Sequence, residues 1–329
     1  TRVELSKADL TDKKELPGAS LKVTDEDGNT VDEWVSKEEA HIIKGLIAGK
    51  KYKMTETKPA DGYVTAESIE FTVENTKEVQ KHQMLDDVTK VEISKKDITD
   101  SSEVPGAKLF ILDKDGKKVE SWTSTDKPHM VEKLPVGEYT LREEQAPDGY
   151  LIAEDVKFTV KDTRKIQKVK MKDAHPYGKL VIKKTDSTSK AALSGAEFEL
   201  REKESGKVVE KLVTDKTGTA TSGKIPIATY KNGKVEKTVE YILVETKAPN
   251  GYELSSKKEE IRFEYKDGKT KVIEIVKEIK NTKSPSGSTP TGNSPKTGDS
   301  TNIWLPILLA VLSACGIGGV IWYKKKKGN

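Results

Sequence analysis

Short runs of alternating apolar and polar residues, rich in Val, Ile, Thr and Tyr, follow one another along the chain as far as about residue 282. Gly, Asp and Asn punctuate these runs, and no stretch of this part sustains an apolar stripe with the period of a helix. Alternation with a period of two is typical of strands that bury one face. The pattern therefore predicts an all-β chain built from small antiparallel β-sandwiches.

The strand pattern occurs three times, with a period of roughly 90 residues that is long enough for a whole domain. In each repeat a glutamate stands seven residues before the tyrosine of a Gly-Tyr pair. We expect three domains, at residues 1–89, 90–177 and 178–282. The opening strands are VELSKAD (3–9), VEISKKD (91–97) and LVIKKTD (180–186), and the glutamate segments are ETKPADGY (56–63), EEQAPDGY (143–150) and ETKAPNGY (245–252).

The period of two also places three polar side chains of each repeat on the inward face. In the first strand Leu5 is in phase with Lys7, so the lysine is expected to point into the core. The glutamate is in phase with Met54 and the closing acid with Met84, and the other repeats follow the same pattern. The predicted sets are Lys7, Glu56 and Asp86, then Lys95, Glu143 and Asp173, then Lys184, Glu245 and Asn281.

These lysines could instead be solvated residues near strand ends. Burying an unpaired ammonium or carboxylate costs several kcal/mol, so an inward triad requires a compensating gain, and bond formation is such a gain. Burial favours the neutral amine, which is the nucleophile, and the protonated carboxyl group, which acts as an acid and base. Attack of the amine would form an amide, with loss of water in the first two repeats and of ammonia from Asn281 in the third.

The repeats resemble the collagen-adhesin B-type (Cna B-type) and SpaA-like prealbumin-fold domains of Gram-positive adhesins and pilins. The three glutamate segments match the E-box of that family, and the resemblance covers residues 1 to about 282. It implies that the three glutamates catalyse spontaneous isopeptide bonds between Lys and Asp or Asn. The first repeat departs from the pattern, because its E-box transposes Ala and Pro and because Asp87 adjoins Asp86. The offset of thirty residues between glutamate and acid in the first two repeats favours Asp86.

An apolar segment without charges follows near the C-terminus, at residues 303–323. At about 1.5 Å per residue, its 21 residues are long enough for a helix across a bilayer. The basic tail at residues 324–329 places the C-terminus in the cytoplasm by the positive-inside rule. We therefore expect a membrane-spanning precursor whose repeats lie outside the cell. The stretch at residues 283–293, rich in Ser, Pro, Thr and Gly, is expected to be a linker.

A short motif lies between the linker and the apolar segment. Motif, apolar segment and basic tail together resemble the LPXTG cell-wall sorting signal of Gram-positive surface proteins, with Ser294 where leucine is usual. The resemblance implies that a sortase cleaves after Thr297 and joins this residue to peptidoglycan. The chain would then be covalently attached to the cell wall. The motif comprises Ser294, Pro295, Lys296, Thr297 and Gly298.

Composition excludes several other functions. The net charge of +4 equals that of the lysine run at 324–327, so the rest of the chain is close to neutral and no nucleic-acid partner is expected. Cys315 is the one cysteine and lies in the apolar segment, which excludes an intrachain disulfide. The four histidines lack the spacing of metal ligands, so neither a metal nor another cofactor is expected. They are His41, His82, His129 and His175.

Two functions fit these expectations. The first is the stalk of a wall-anchored adhesin, whose ligand, such as a host extracellular-matrix protein, would bind an N-terminal region that precedes this sequence. The alternative is a pilin subunit polymerised by sortase. Pilins use a lysine in a YPKN-like motif, which residues 230–232 (YKN) approach without the proline, so the sequence favours the stalk. An enzyme with turnover is disfavoured, because each site would be sealed inside a core.

Two smaller features remain. The third repeat is longer than the others, with its excess around residues 219–237, where we expect an added hairpin or loop; a ligand-binding role is the alternative to a plain insertion. Trp34 and Trp122 occupy matching places in the first two repeats and are expected to be core aromatics.

Overall fold

The computed structural model describes residues 1–285, which form twenty-four strands and no α-helix. The predicted all-β fold is confirmed for this part of the chain. Within it, no helix is long or apolar enough to span a membrane. The predicted sorting motif at residues 294–298, the membrane helix at 303–323 and the basic tail at 324–329 lie outside the described residues.

The first repeat folds into two facing sheets. One sheet has the order β4-β1-β7, and the other has the order β3-β2-β5-β6. Alternate residues are buried along the central strands, as in β5, where the pattern begins exposed, buried, exposed, buried. The strands are β1 (Arg2–Asp9), β2 (Ser20–Thr24), β3 (Thr30–Val35), β4 (His41–Lys44), β5 (Lys51–Lys58), β6 (Ile69–Thr72) and β7 (Val79–Asp86).

The second repeat has the same arrangement, with sheets β11-β8-β14 and β10-β9-β12-β13. Its core is separate from that of the first repeat, so each repeat buries its own apolar residues. The strands are β8 (Lys90–Asp97), β9 (Lys108–Leu112), β10 (Lys118–Thr123), β11 (His129–Glu132), β12 (Gly137–Gln145), β13 (Val156–Val160) and β14 (Gln167–Asp173).

The third repeat retains both sheets and adds a hairpin. In one sheet β15 pairs with β18, β19 and β24, and the other has the order β17-β16-β22-β23, while β20 and β21 form the separate hairpin. The strands are β15 (Tyr177–Asp186), β16 (Glu197–Glu202), β17 (Val208–Val213), β18 (Thr219–Thr221), β19 (Ile225–Pro226), β20 (Ala228–Lys231), β21 (Lys234–Thr238), β22 (Glu240–Lys247), β23 (Glu259–Arg262) and β24 (Val272–Asn281).

The pairing of the first and last strands corrects the prediction of purely antiparallel sandwiches. In every repeat these two strands are parallel, as β1 and β7 are in the first. A parallel pair requires a long crossover connection, and here the rest of the repeat supplies it. Both strands therefore run in the same direction and end at the same edge of the sandwich.

The first and second repeats are joined by polar contacts around Asp9, the last residue of β1. Asp9 Oδ2 accepts a hydrogen bond from the Tyr63 hydroxyl at 2.7 Å and lies 3.4 Å from Lys133 Nζ of the second repeat. A second link lies nearby, where the backbone and hydroxyl of Thr65 donate to the carboxylate of Asp162 at 2.9 and 2.6 Å. The turn of one repeat thus binds loops of the next.

The added hairpin of the third repeat lies against the second. Tyr230 on β20 stacks on the His175 ring at a centroid distance of 3.4 Å, and its hydroxyl donates to the Gly149 carbonyl at 2.8 Å. His175 Nε2 in turn lies 2.8 Å from Asp97 Oδ2, which also accepts the Tyr150 hydroxyl at 2.8 Å. The expected hairpin is therefore present, and it packs on the neighbouring repeat.

Candidate functional site

Each predicted lysine lies on the first strand of its repeat. Its pairing partner on the last strand is the residue two positions before the closing acid or amide. Lys7 is in register with Met84, and Asp9 with Asp86. Because residues two apart on a strand share a face, the Lys7 side chain reaches diagonally to Asp86. Its Nζ is in contact with Asp86 Oδ1. The equivalent atoms are in contact for Lys95 with Asp173 and for Lys184 with Asn281.

The three glutamates complete these clusters from the opposite sheet. Their carboxylate oxygens lie 2.8 Å from Lys7 Nζ, 3.0 Å from Lys95 Nζ and 2.9 Å from Lys184 Nζ. All nine side chains are buried, and each is at most 5 % exposed. The structure thus brings together every residue of the three predicted triads. The glutamates are Glu56 in the first repeat, Glu143 in the second and Glu245 in the third.

Local backbone features fix the direction of each glutamate. A register shift follows the glutamate in its strand, as at Glu56, which pairs with Leu21 while Lys58 pairs with Ser20. Bulges of this kind re-aim side chains next to functional sites. A backbone N–H ten residues later then holds the carboxylate, so that Ala66 donates to Glu56 Oε2 at 2.6 Å. The other repeats use the N–H groups of Ala153 and Ser255.

The structure distinguishes between the two adjacent acids at the end of the first repeat. Asp86 is fully buried against Lys7, whereas Asp87 Oδ1 lies 2.9 Å from Lys90 Nζ, near the surface. The geometry therefore places Asp86, and not Asp87, in the triad.

Burial changes the protonation equilibria of these groups. Desolvation raises the pKa of Asp86 and of Asp173 to about 7, in spite of the neighbouring lysines. One oxygen of each, Oδ2, is buried without a hydrogen-bond partner among residues 1–285. A proton on this carboxyl group, directed to the neighbouring glutamate, would satisfy it. Desolvation likewise lowers the pKa of Lys184, which favours the neutral amine.

In the third triad, a side-chain amide supplies the hydrogen bond to the glutamate that a protonated acid would supply in the other two. Asn281 Nδ2 donates to both carboxylate oxygens of Glu245 at 3.0 Å, so the N–H group takes the place of the acid proton. The Phe198 ring lies 5.5 Å from Lys184 Nζ and covers the amine. The three sites therefore share their geometry, and the third has a carboxamide where the other two have a carboxyl group.

Two sets of polar residues next to the triads were missed by the sequence interpretation. The Gly-Tyr tyrosine donates to the aspartate that ends the first strand, with the pairs Tyr63–Asp9, Tyr150–Asp97 and Tyr252–Asp186. Both partners occupy fixed places in all three repeats, and this signal could have revealed them. The second set, Glu15 and Glu103, accepts hydrogen bonds from the backbone N–H groups of Lys7 and Lys95.

The histidines of the described residues pack on aromatic rings. His41 stacks on Trp34 and His129 on Trp122, with centroid distances of 4.2 and 4.4 Å, and His82 stacks on Phe71. Both tryptophans are half-buried against the cores of their repeats. Within residues 1–285, no cluster of His, Cys, Asp or Glu has the arrangement of a metal site.

Comparison with known proteins identifies the family of the three repeats. A family model described as SpaA, prealbumin-like fold domain, matches residues 1–87, 89–175 and 178–279. No curated protein matches the chain in sequence. Among solved structures, the Bacillus anthracis TIE protein is 28 % identical with a TM-score of 0.56, and the match covers 86 % of this chain. It covers 51 % of the TIE chain, so the present chain spans about half the length of that protein.

Two major pilins also align with the chain, at lower similarity. BcpA of Bacillus cereus is 19 % identical with a TM-score of 0.49, and the match covers 86 % of this chain and 99 % of BcpA. SpaD of Corynebacterium diphtheriae is 19 % identical with a TM-score of 0.40, and the match covers 86 % and 97 %. The three repeats occupy most of the sequence, and the family model matches each of them. The chain therefore belongs to the family of SpaA prealbumin-like fold domains.

Proposed function

We propose that the chain is a pilin-like shaft on the Gram-positive cell surface, in which an isopeptide bond ties together the first and last strands of each repeat. The observation that carries this proposal is the burial of a lysine amine against a carboxyl or carboxamide group in all three repeats. A buried charged group of this kind is costly unless it is paired or consumed by a reaction.

The glutamate is the acid and base of the proposed reaction. Neutral Nζ attacks Cγ of the acceptor, and the glutamate carboxyl group faces the acceptor oxygen or nitrogen that would leave. The proton lost by nitrogen passes through the glutamate to the leaving group. In the first two repeats the acceptor hydroxyl leaves as water, and in the third the Asn281 amide nitrogen leaves as ammonia. The glutamate is regenerated, and each site reacts once, so the protein has no turnover.

The bond would act chiefly under tension. Its two ends lie 79 residues apart in the first repeat, 78 in the second and 97 in the third. By the chain-entropy argument for disulfides, closing such loops contributes about 4 to 5 kcal/mol. Tension that enters at β1 would leave directly after β7 through the bond, because these parallel strands are neighbours. The sheets between them would carry no load.

Attachment to the cell is the second part of the proposal, and it rests on sequence alone. A sortase would cleave after Thr297 and transfer the chain to peptidoglycan, while residues 303–323 hold the precursor in the membrane. The repeats would then stand outside the cell, where tension acts and where a cysteine-free tie is useful.

Between the two kinds of shaft, the SpaA family match favours the pilin subunit over the adhesin stalk. Lys231 would be the linking lysine, since it lies at the tip of the β20–β21 hairpin with its side chain 69 % exposed. The missing proline of this motif is the observation that favours the second candidate, an unpolymerised stalk.

Polymerisation separates the two candidates. In sortase-producing cells we expect cell-wall extracts to show a ladder of covalent multimers, because Lys231 is exposed. Lys231→Ala should remove the ladder, and Lys234→Ala, an exposed lysine of the same hairpin, should leave it unchanged. A single wall-linked species from the unsubstituted chain would establish the stalk instead.

Removal of a catalytic glutamate should cost stability. We expect Glu143→Ala to leave the second repeat without its bond and to lower its free energy of unfolding by about 4 kcal/mol or more, since the loop constraint is lost. Guanidinium titration of residues 1–285 measures this. Glu144→Ala, which changes the exposed neighbour, is the matched control. Equal stability of Glu143→Ala and the unsubstituted protein would contradict the proposal.

The pH dependence of bond formation should differ among the repeats. The pKa of Asp86 and Asp173 is raised to about 7, so each acid holds its proton below pH 7 and loses it above. Since this proton must leave with the hydroxyl group, and since every site also needs a neutral amine, the rates of the first two bonds relative to that of the third should fall about tenfold per pH unit above 7. The third bond has an amide acceptor and should show no such decline in the neutral range.

Refolding at a series of pH values, followed by acid quench and peptide mass analysis of each repeat, measures these rates. Asp173→Asn should abolish the decline in the second repeat alone and change its leaving group to ammonia. Acceleration of the first two bonds relative to the third above pH 7 would show that loss of the lysine proton, and not retention of the acid proton, limits the reaction.

A further inference from the structure

The backbone of each reactive lysine lies where one neighbouring strand has ended. β4 pairs with β1 only as far as Leu5, which is opposite His41, and β11 pairs with β8 only as far as Ile93. On that side the backbone N–H of the lysine two residues later has no strand to bond. An unbonded N–H at this depth would be costly and would leave the lysine backbone free to shift.

In the first two repeats, a glutamate carboxylate accepts the hydrogen bond of this backbone N–H. Glu15 Oε2 accepts the Lys7 N–H at 3.2 Å, and its other oxygen accepts the Ser6 hydroxyl at 2.6 Å. Glu103 Oε2 accepts the Lys95 N–H at 3.0 Å, with its side chain only 7 % exposed. The two glutamates are also equivalent in the fold, because each forms a single β-bridge with the residue next to the reactive lysine.

In the third repeat, a backbone carbonyl accepts the hydrogen bond of the lysine N–H. The position equivalent to the two glutamates is Ala192, which has no acceptor side chain. The Lys184 N–H instead donates to the Gly218 carbonyl at 2.7 Å. A Cβ on Gly218 would lie 2.5 Å from the Lys184 carbonyl oxygen, so only glycine permits this approach. The lysine N–H is therefore hydrogen-bonded in all three repeats, by a carboxylate in two of them and by a backbone carbonyl in the third. Because the acceptor differs, the shared requirement is that the lysine backbone be held in place.

We infer that Glu15 and Glu103 are positioning residues for isopeptide formation in the first and second repeats. This inference rests on the proposed function. The lysine side chain has several rotatable bonds, and its Nζ must be held at the acceptor carbon for the intramolecular reaction to be fast. A charge-assisted hydrogen bond from the lysine backbone N–H to a carboxylate restricts movement of the backbone that carries this side chain. Neither glutamate contacts the reacting atoms, so each acts through the lysine.

The test compares Glu103→Ala with Glu103→Gln in residues 1–285, with bond formation measured separately for each repeat by peptide mass analysis after refolding. We expect Glu103→Ala to slow the second bond at least tenfold and to leave the first unchanged in the same molecules. Glu103→Gln retains an acceptor oxygen and should restore most of the rate. Glu15→Ala should slow only the first bond.

Folding is followed in parallel, so that a purely structural effect is recognised. In a Trp34→Phe background, Trp122 is the remaining tryptophan of residues 1–285, and its fluorescence reports folding of the second repeat. The inference requires that Glu103→Ala folds at the unsubstituted rate and cross-links slowly. It is overturned if the second bond forms at the unsubstituted rate, if slow folding accounts for the delay, or if Gln fails to rescue.

Two further outcomes are also decisive. If Glu103→Ala does not fold, the same comparison of Ala and Gln at Glu15 decides the inference. If the unsubstituted protein forms no bond in any repeat, the proposed function fails; if it forms all three and the variants match it, only the positioning role fails.

Discussion

The contact between a buried lysine amine and a buried carboxyl or carboxamide group is the interaction on which the rest of this structure depends. A lysine such as Lys95 lies among apolar side chains and is almost completely excluded from water. Its burial is tolerable only because Glu143 and Asp173 surround it, and all three are groups that water would solvate strongly. Conversion of the amine and the acid to a neutral amide would remove most of that cost.

This contact in turn depends on strand register. The first and last strands of each repeat are parallel, and a shift of one residue would turn the lysine and its acceptor to opposite faces. The same register brings the ends of both strands to one edge, where Asp9 and Asp97 accept hydrogen bonds from the Gly-Tyr tyrosines and where Asp9 also lies 3.4 Å from Lys133 of the next repeat. The triad of the first repeat and its polar contact with the second repeat therefore lie at the same end of the sandwich.

Much of the site could be predicted because it follows from local periodicity. Alternation along a strand decides which face Lys7, Glu56 or Asp86 occupies, and repetition in three copies makes the pattern visible. What could not be predicted depends on contacts between distant segments. The parallel pairing could not be predicted because apolar and polar residues alternate in the same way in parallel and antiparallel strands. The packing of Tyr230 on His175 depends on how neighbouring repeats meet. Glu15 and Glu103 act through the lysine backbone, which side-chain periodicity does not describe.

The central claim is that these contacts become covalent bonds, and the intact mass of the denatured protein tests it most directly. For purified residues 1–285, the account predicts a mass below that of the sequence by two molecules of water and one of ammonia, one loss for each repeat. A measured mass equal to that of the sequence would contradict it, and the triads would then be buried ion pairs and hydrogen bonds without a covalent tie.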